Sequence, residues 1–142
     1  MTWSIQGPQG VPGPKGDSGI SKVFSYSSGF NAPGSLNPWT TVVPNNTLVA
    51  SLNLPAGKYS ASGKVLVYST EGVDVECILA TGPQAGGFVD DALDSGPGST
   101  TINVQGTFEL TTAQIVGMWC GGRGNWRYAQ LSATQVNEIV NQ

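Results

Sequence analysis

Tyr59-Ser60-Ala61-Ser62-Gly63-Lys64-Val65-Leu66-Val67-Tyr68 decides how most of this chain folds. Tyr59, Ala61, Gly63, Val65 and Val67 fall on one side of a two-residue period, and Ser60, Ser62, Lys64, Leu66 and Tyr68 on the other. Successive strand side chains point to opposite faces of a sheet, so the stretch reads as a strand with one buried side. The same period recurs outward from it. Leu48, Ala50, Leu52 and Leu54 alternate with Val49, Ser51 and Asn53, and Pro55-Ala56-Gly57 supplies the turn between the two runs. Val73, Val75, Cys77 and Leu79 alternate with Asp74, Glu76 and Ile78. Ile102 to Leu110, Ile115 to Cys120 and Tyr128 to Gln135 continue the series, and Val23-Phe24-Ser25-Tyr26 opens it. The Gly-, Pro- and Asp-rich stretch from Gly82 to Gly98 reads as a connection. About eight short strands at this spacing, without a helical period, predict an all-β fold, an antiparallel jelly-roll sandwich.

The N-terminal segment obeys another rule. Gly7, Gly10, Gly13, Gly16 and Gly19 fall on every third position, with Pro8, Pro12 and Pro14 between them. This is the register of a collagen triple helix, in which only glycine fits on the shared axis of three polyproline-II strands. One chain cannot make that structure, so the segment predicts a homotrimer. Three divisions follow: an anchor peptide over 1–6, a triple-helical stalk over 7–21 and a jelly-roll head over 22–142. At about 3 Å per residue the stalk extends roughly 45 Å. So short a triple helix is marginal by itself, and the head is expected to supply trimer contacts. Lys15 and Asp17 are placed for an interchain ion pair, contributing about 0.2–1 kcal/mol per copy.

Composition excludes several functions. The chain has 142 residues, a formal net charge of -3 and no histidine. It has no basic cluster, so nucleic acid is not an expected partner. No run of residues approaches a membrane span, and no insertion is expected. Met1 to Gln6 lacks the basic start and apolar core of a secretory signal, so synthesis in a host cytoplasm without a signal peptide is expected, with exit by another route such as a particle released by lysis. Without histidine the usual general base is missing, and no catalytic residues, metal or cofactor are expected.

Cys77 and Cys120 lie in strand-like runs and read as two buried thiols or one cross-strand disulfide. Met1, Trp3 and Ile5 alternate with polar residues. Trp3 and Ile5 either anchor the chain to a partner or cluster with their own copies at the end of the stalk. Asp90, Asp91 and Asp94 lie close together in the Gly-rich stretch, without the ligand spacing of a calcium loop. They read as a loose cation site, a glycosidase-like acid pair or a solvated acidic loop. Asn45-Asn46-Thr47 matches a glycosylation sequon, which is inert without a secretory signal. Leu66, Tyr68 and Ile78 occupy outward positions of their strands. In a monomer they would be a stray apolar patch, and in a trimer a subunit interface. Trp126-Arg127-Tyr128 follows a glycine-rich turn. Aromatic faces stack on sugar rings and Arg binds carboxylate, so the trio is a candidate glycan site. Alternatively, Trp126 plugs the end of the sandwich and Arg127 is solvated.

A collagen segment followed by a small β-sandwich resembles the complement and tumour necrosis factor-like trimeric jelly rolls. The phrase from Leu54 to Val65 looks like the central strand pair of those heads. A closer resemblance is to small collagen-bearing tail and head proteins of tailed phages, especially those of actinobacteria. It rests on Ala56-Gly57-Lys58-Tyr59 at a strand start, Cys77 in the next strand, Phe108 in a later one and Cys120 near the end. That resemblance implies a trimeric virion structural protein on the tail or capsid surface, bound to other virion proteins through its N-terminus. The leading expectation is a non-enzymatic tail fibre or spike that presents its head to a host-surface glycan. The alternative is a capsid decoration protein at threefold positions of the shell. A bacterial or spore surface collagen-like protein is a third.

Overall fold

The computed structural model describes residues 7–14, 22–28, 34–36, 46–69, 74–83 and 87–142. Among them lie nine strands and no helix: β1 (Val23–Ser27), β2 (Gly34–Ser35), β3 (Thr47–Leu54), β4 (Gly57–Ser69), β5 (Val75–Thr81), β6 (Gly87–Asp94), β7 (Gly98–Leu110), β8 (Gln114–Gly121) and β9 (Gly124–Val136). The first sheet runs β1-β9-β4-β7, with the short β2 also paired to β9. The second runs β3-β8-β5-β6. All pairings are antiparallel. Leaving β2 aside, β1 pairs with β9, β3 with β8, β4 with β7 and β5 with β6. The chain is therefore doubled back at the β5–β6 hairpin and rolled up, which is the jelly-roll arrangement.

The inward positions of both sheets form one core. Val65, Val67, Ile102, Val104 and Leu131 of the first sheet face Leu54, Val75, Leu79, Val116 and Met118 of the second, all buried. Each such side chain contributes about 1.5–3 kcal/mol by leaving water. Tyr59 is fully buried among Phe24 and Phe108, with ring centroids 6.1 Å and 5.7 Å away. Its hydroxyl donates to the Pro55 carbonyl at 2.8 Å, which satisfies the one polar atom that burial would otherwise penalise. Burial also raises the Tyr59 pKa.

The Gly82–Gly98 stretch is not the connection its composition suggests. It contains β6, so Asp90, Asp91 and Asp94 stand on a strand and not in a loop. Val89 and Ala92 pack against the core, and β5 supplies the hydrogen-bonding partner. The carboxylates belong to an edge strand, where charge discourages pairing with a foreign strand.

Gly7, Gly10 and Gly13 are exposed, and a Cβ on any of them would meet nothing within 4 Å. Trp3 and Ile5, and the stalk positions Lys15, Gly16, Asp17 and Gly19, lie outside the described residues.

Candidate functional site

The Trp126-Arg127-Tyr128 stretch sits on β9 at a break in register. Lys64 of β4 pairs with Gln130, but Leu66 pairs with Arg127, so one β4 residue faces both Tyr128 and Ala129. Tyr128 takes a left-handed conformation, φ 59°, which costs a non-glycine residue about 1–2 kcal/mol. This bulge reverses the facing of everything before it. Ala129, Leu131 and Ala133 point inward. Strict alternation would send Arg127 inward and Trp126 out, and the bulge does the opposite. Trp126 packs against the core while Arg127 is exposed. Gly34 of β2 pairs with Trp126, and a Cβ there would run into the indole ring. Trp126 Nε1 is buried without a hydrogen-bond partner. Trp126 is thus half-buried against the core, yet it still lines a surface cleft together with Arg127. An arginine at an inward-facing count is the one sequence feature at odds with strict alternation, and it does not say where a step is inserted.

On the outer face of the first sheet, Arg127 and Tyr128 lie beside Leu66 and Tyr68 of β4. One cleft of about 290 Å³ is lined by Lys64, Leu66, Thr101, Tyr128 and Gln130. A second, of about 350 Å³, shares Leu66 and is bordered by Tyr68, Ser99, Asn125, Trp126 and Arg127. Residues expected in a subunit interface and residues expected in a ligand site therefore share one patch. The middle of the same face is paved with small hydroxyls and amides, and the Ser62 and Ser132 hydroxyls meet there at 3.3 Å.

Ile78 does not join this patch. It lies on the outer face of the second sheet opposite Trp119, and both are 4% exposed. With Ala80 they form a small cluster separate from the main core. The Trp119 indole lies across Gly117, where a Cβ would clash with the ring.

The acids of β6 have separate tasks. Asp90 Oδ2 accepts the Gln105 backbone N–H of β7 at 2.8 Å. Asp91 and Glu76 share a side-chain hydrogen bond across β6 and β5. Burial raises the Glu76 pKa, and the neighbouring Asp91 charge and hydrogen bond raise it further. Among the described residues no three metal-ligating groups gather. Cys77 and Cys120 are paired in register on β5 and β8 with Cα atoms 4.1 Å apart, and they form a disulfide.

Charge is segregated between the sheets. The strands of the first carry Lys58, Lys64 and Arg127 against the single acid Glu109. Those of the second carry Glu76, Asp90, Asp91 and Asp94 and no cation.

No known protein family matches the sequence, and no curated protein is similar to it. Solved structures share the fold. The VP2 subviral particle of infectious bursal disease virus superposes with a TM-score of 0.55 at 13% identity, over 88% of this chain and 37% of that one. The T13 particle of the same virus gives 0.53 at 13% identity, over 88% and 35%. This chain thus spans little more than a third of those capsid chains. The globular domain of zebrafish complement 1qA gives 0.51 at 12% identity, over 82% of this chain and 98% of that one. At these identities the likeness is one of fold: a small jelly roll.

Proposed function

We propose that this chain is a non-enzymatic phage virion protein, a homotrimer that carries jelly-roll heads on a collagen-like stalk for attachment to a host surface. One observation carries the reading. Glycine recurs at every third position from Gly7 to Gly19, and among the described residues nothing crowds Gly7, Gly10 or Gly13. The requirement for glycine then comes from other chains, as in a triple helix. Residues 1–6 anchor the trimer to another virion protein, 7–21 form the stalk and 22–142 the head. The likeness to a capsid protein and to a complement head supports a structural, non-catalytic role on a particle surface. Three identical heads on one stalk make weak individual contacts useful by avidity.

A second reading, decoration of the capsid shell, is favoured by one feature. Trp126 packs against the core and is half-buried, which reduces the ring surface it can offer for stacking on a sugar. Gold-labelled antibody imaging of purified particles separates the two. Label at the tail tip or baseplate supports attachment, and label spread over the shell supports decoration. Particles without label would remove the virion reading.

A further inference from the structure

The Cys77–Cys120 disulfide sits at the end of its ladder. Only Glu76 and Gly121 pair beyond it on β5 and β8, and Thr47 with Cys120 is the last pair between β3 and β8. The bond therefore marks the pole opposite Leu54 and Gln114, at the root of the turn between β8 and β9. That turn packs on the start of β5: a Cβ on Gly122 would meet the Asp74 carbonyl oxygen at 2.7 Å and the Val75 Cα at 3.0 Å. Arg123 is exposed in the turn, and β9 carries the chain on to Arg127. Both cysteines are nevertheless fully buried members of the main core. A buried thiol acts as a small apolar side chain, so the core is filled before the bond exists. Only a thiolate is reactive and a buried thiol is inert, so oxidation waits for an opening. Strand ends open at the lowest free energy, and here one rung separates the sulfurs from such an end.

We infer that Cys77–Cys120 is a redox staple: it closes after the head has folded, through fraying of this pole, and then holds the β8–β9 turn in place. The oxidant is a low-molecular-weight disulfide. One cysteine thiolate attacks it, forming a mixed disulfide and releasing one thiol. The second cysteine thiolate attacks the mixed disulfide and releases the other thiol. The protein gives up two protons and two electrons, and the S–S bond of the reagent becomes two thiols. Before closure the end of β8 parts from β5 and the turn opens with it. After closure β8 stays on β5, and the turn that presents Arg123 loses that freedom. The timing rests on the virion reading above: a chain assembled in a reducing cytoplasm keeps its thiols, and a released particle meets the oxidant.

Full-length chain refolded under reductant tests this. It is expected to show the circular dichroism of the oxidised chain. Oxidised glutathione is then expected to close the bond, read as loss of alkylatable thiols, at a rate that low urea leaves unchanged, because the opening is local. Trypsin is expected to cut after Arg123 about tenfold faster in the reduced chain than in the oxidised one. The double variant Cys77→Ser, Cys120→Ser is expected to be cut at the fast rate with or without reductant. A reduced chain that stays unfolded would overturn the inference. So would oxidation that accelerates with urea in step with global unfolding, or equal cutting in the two states. Timing is read separately, on acid-quenched and alkylated samples of the source culture. Chains taken before lysis are expected to carry two labels, and chains from purified particles none. Oxidised chain before lysis would overturn the timing. Absence of the chain from the particles would overturn the virion reading and the timing with it, and leave the staple measured on the purified chain standing.

Discussion

Asp90 and Gln105 join the two sheets at their open edge: a carboxylate oxygen of β6 accepts a backbone N–H of β7 at 2.8 Å. Both strands end their sheets. The N–H that β7 would otherwise offer to a foreign strand is occupied by a side chain, which blunts the edge. Asp90→Ala is expected to cost about 0.5–1.5 kcal/mol, the net worth of such a bond. A lower urea midpoint with an unchanged slope would show it. Increased self-association of the variant would show the edge effect.

The Cys77–Cys120 disulfide closes a loop of sequence separation 43. Opening it frees the unfolded chain, and the double Ser variant is expected to lose about 2–4 kcal/mol. The two positions are also held in register by the β5–β8 ladder, so the variant keeps its fold. Denaturant melts with and without reductant should differ for the wild type and coincide for the variant.

Glu76 carries a pH dependence whose sign is fixed by its surroundings. Its folded pKa is raised, first by burial and then by Asp91. A carboxyl of this kind favours the folded state when protonated. Its contribution is full below the ordinary glutamate range and is lost as pH rises through the raised value. Glu76→Gln keeps a hydrogen-bond donor for Asp91 and carries no charge. The variant is expected to melt higher than the wild type at neutral pH and to converge with it in acid. Melting curves that stay parallel across that range would refute the pairing.

Tyr59→Phe removes only the hydroxyl bonded to the Pro55 carbonyl, and Tyr59→Ala removes the whole ring between Phe24 and Phe108. The first is expected to cost about 0.5–1.5 kcal/mol. The second is expected to cost about 3–5 kcal/mol. Equal losses in chemical denaturation would mean that ring packing contributes nothing here.

Residues with an uninterrupted period of two were legible before any coordinates. Tyr59 to Val67 and Ile102 to Leu110 have their inward side chains where counting places them, because long paired strands permit no slip of facing. β6 was not legible. Its two adjacent acids at Asp90 and Asp91 interrupt the alternation, and its flanking glycines read as a loop. The facing of Trp126 was hidden for a different reason. A bulge changes parity without changing composition, so the sequence around Tyr128 shows the residues but not the inserted step. Grouping Ile78 with Leu66 and Tyr68 failed because outward on β4 and outward on β5 are opposite sides of the sandwich. Counting along one strand does not say which sheet that strand joins.

The pairing of β1 with β9 has a practical consequence. β1 starts at the pole where the chain enters the sandwich and β9 ends there, with the Gln135 N–H bonded to the Lys22 carbonyl. A cargo joined after Val136 would therefore sit at that entry pole. A peptide grafted at Arg123, in the turn between β8 and β9, would be carried at the far pole instead. The two attachment points give one scaffold two independent addresses, one sheltered and one presented.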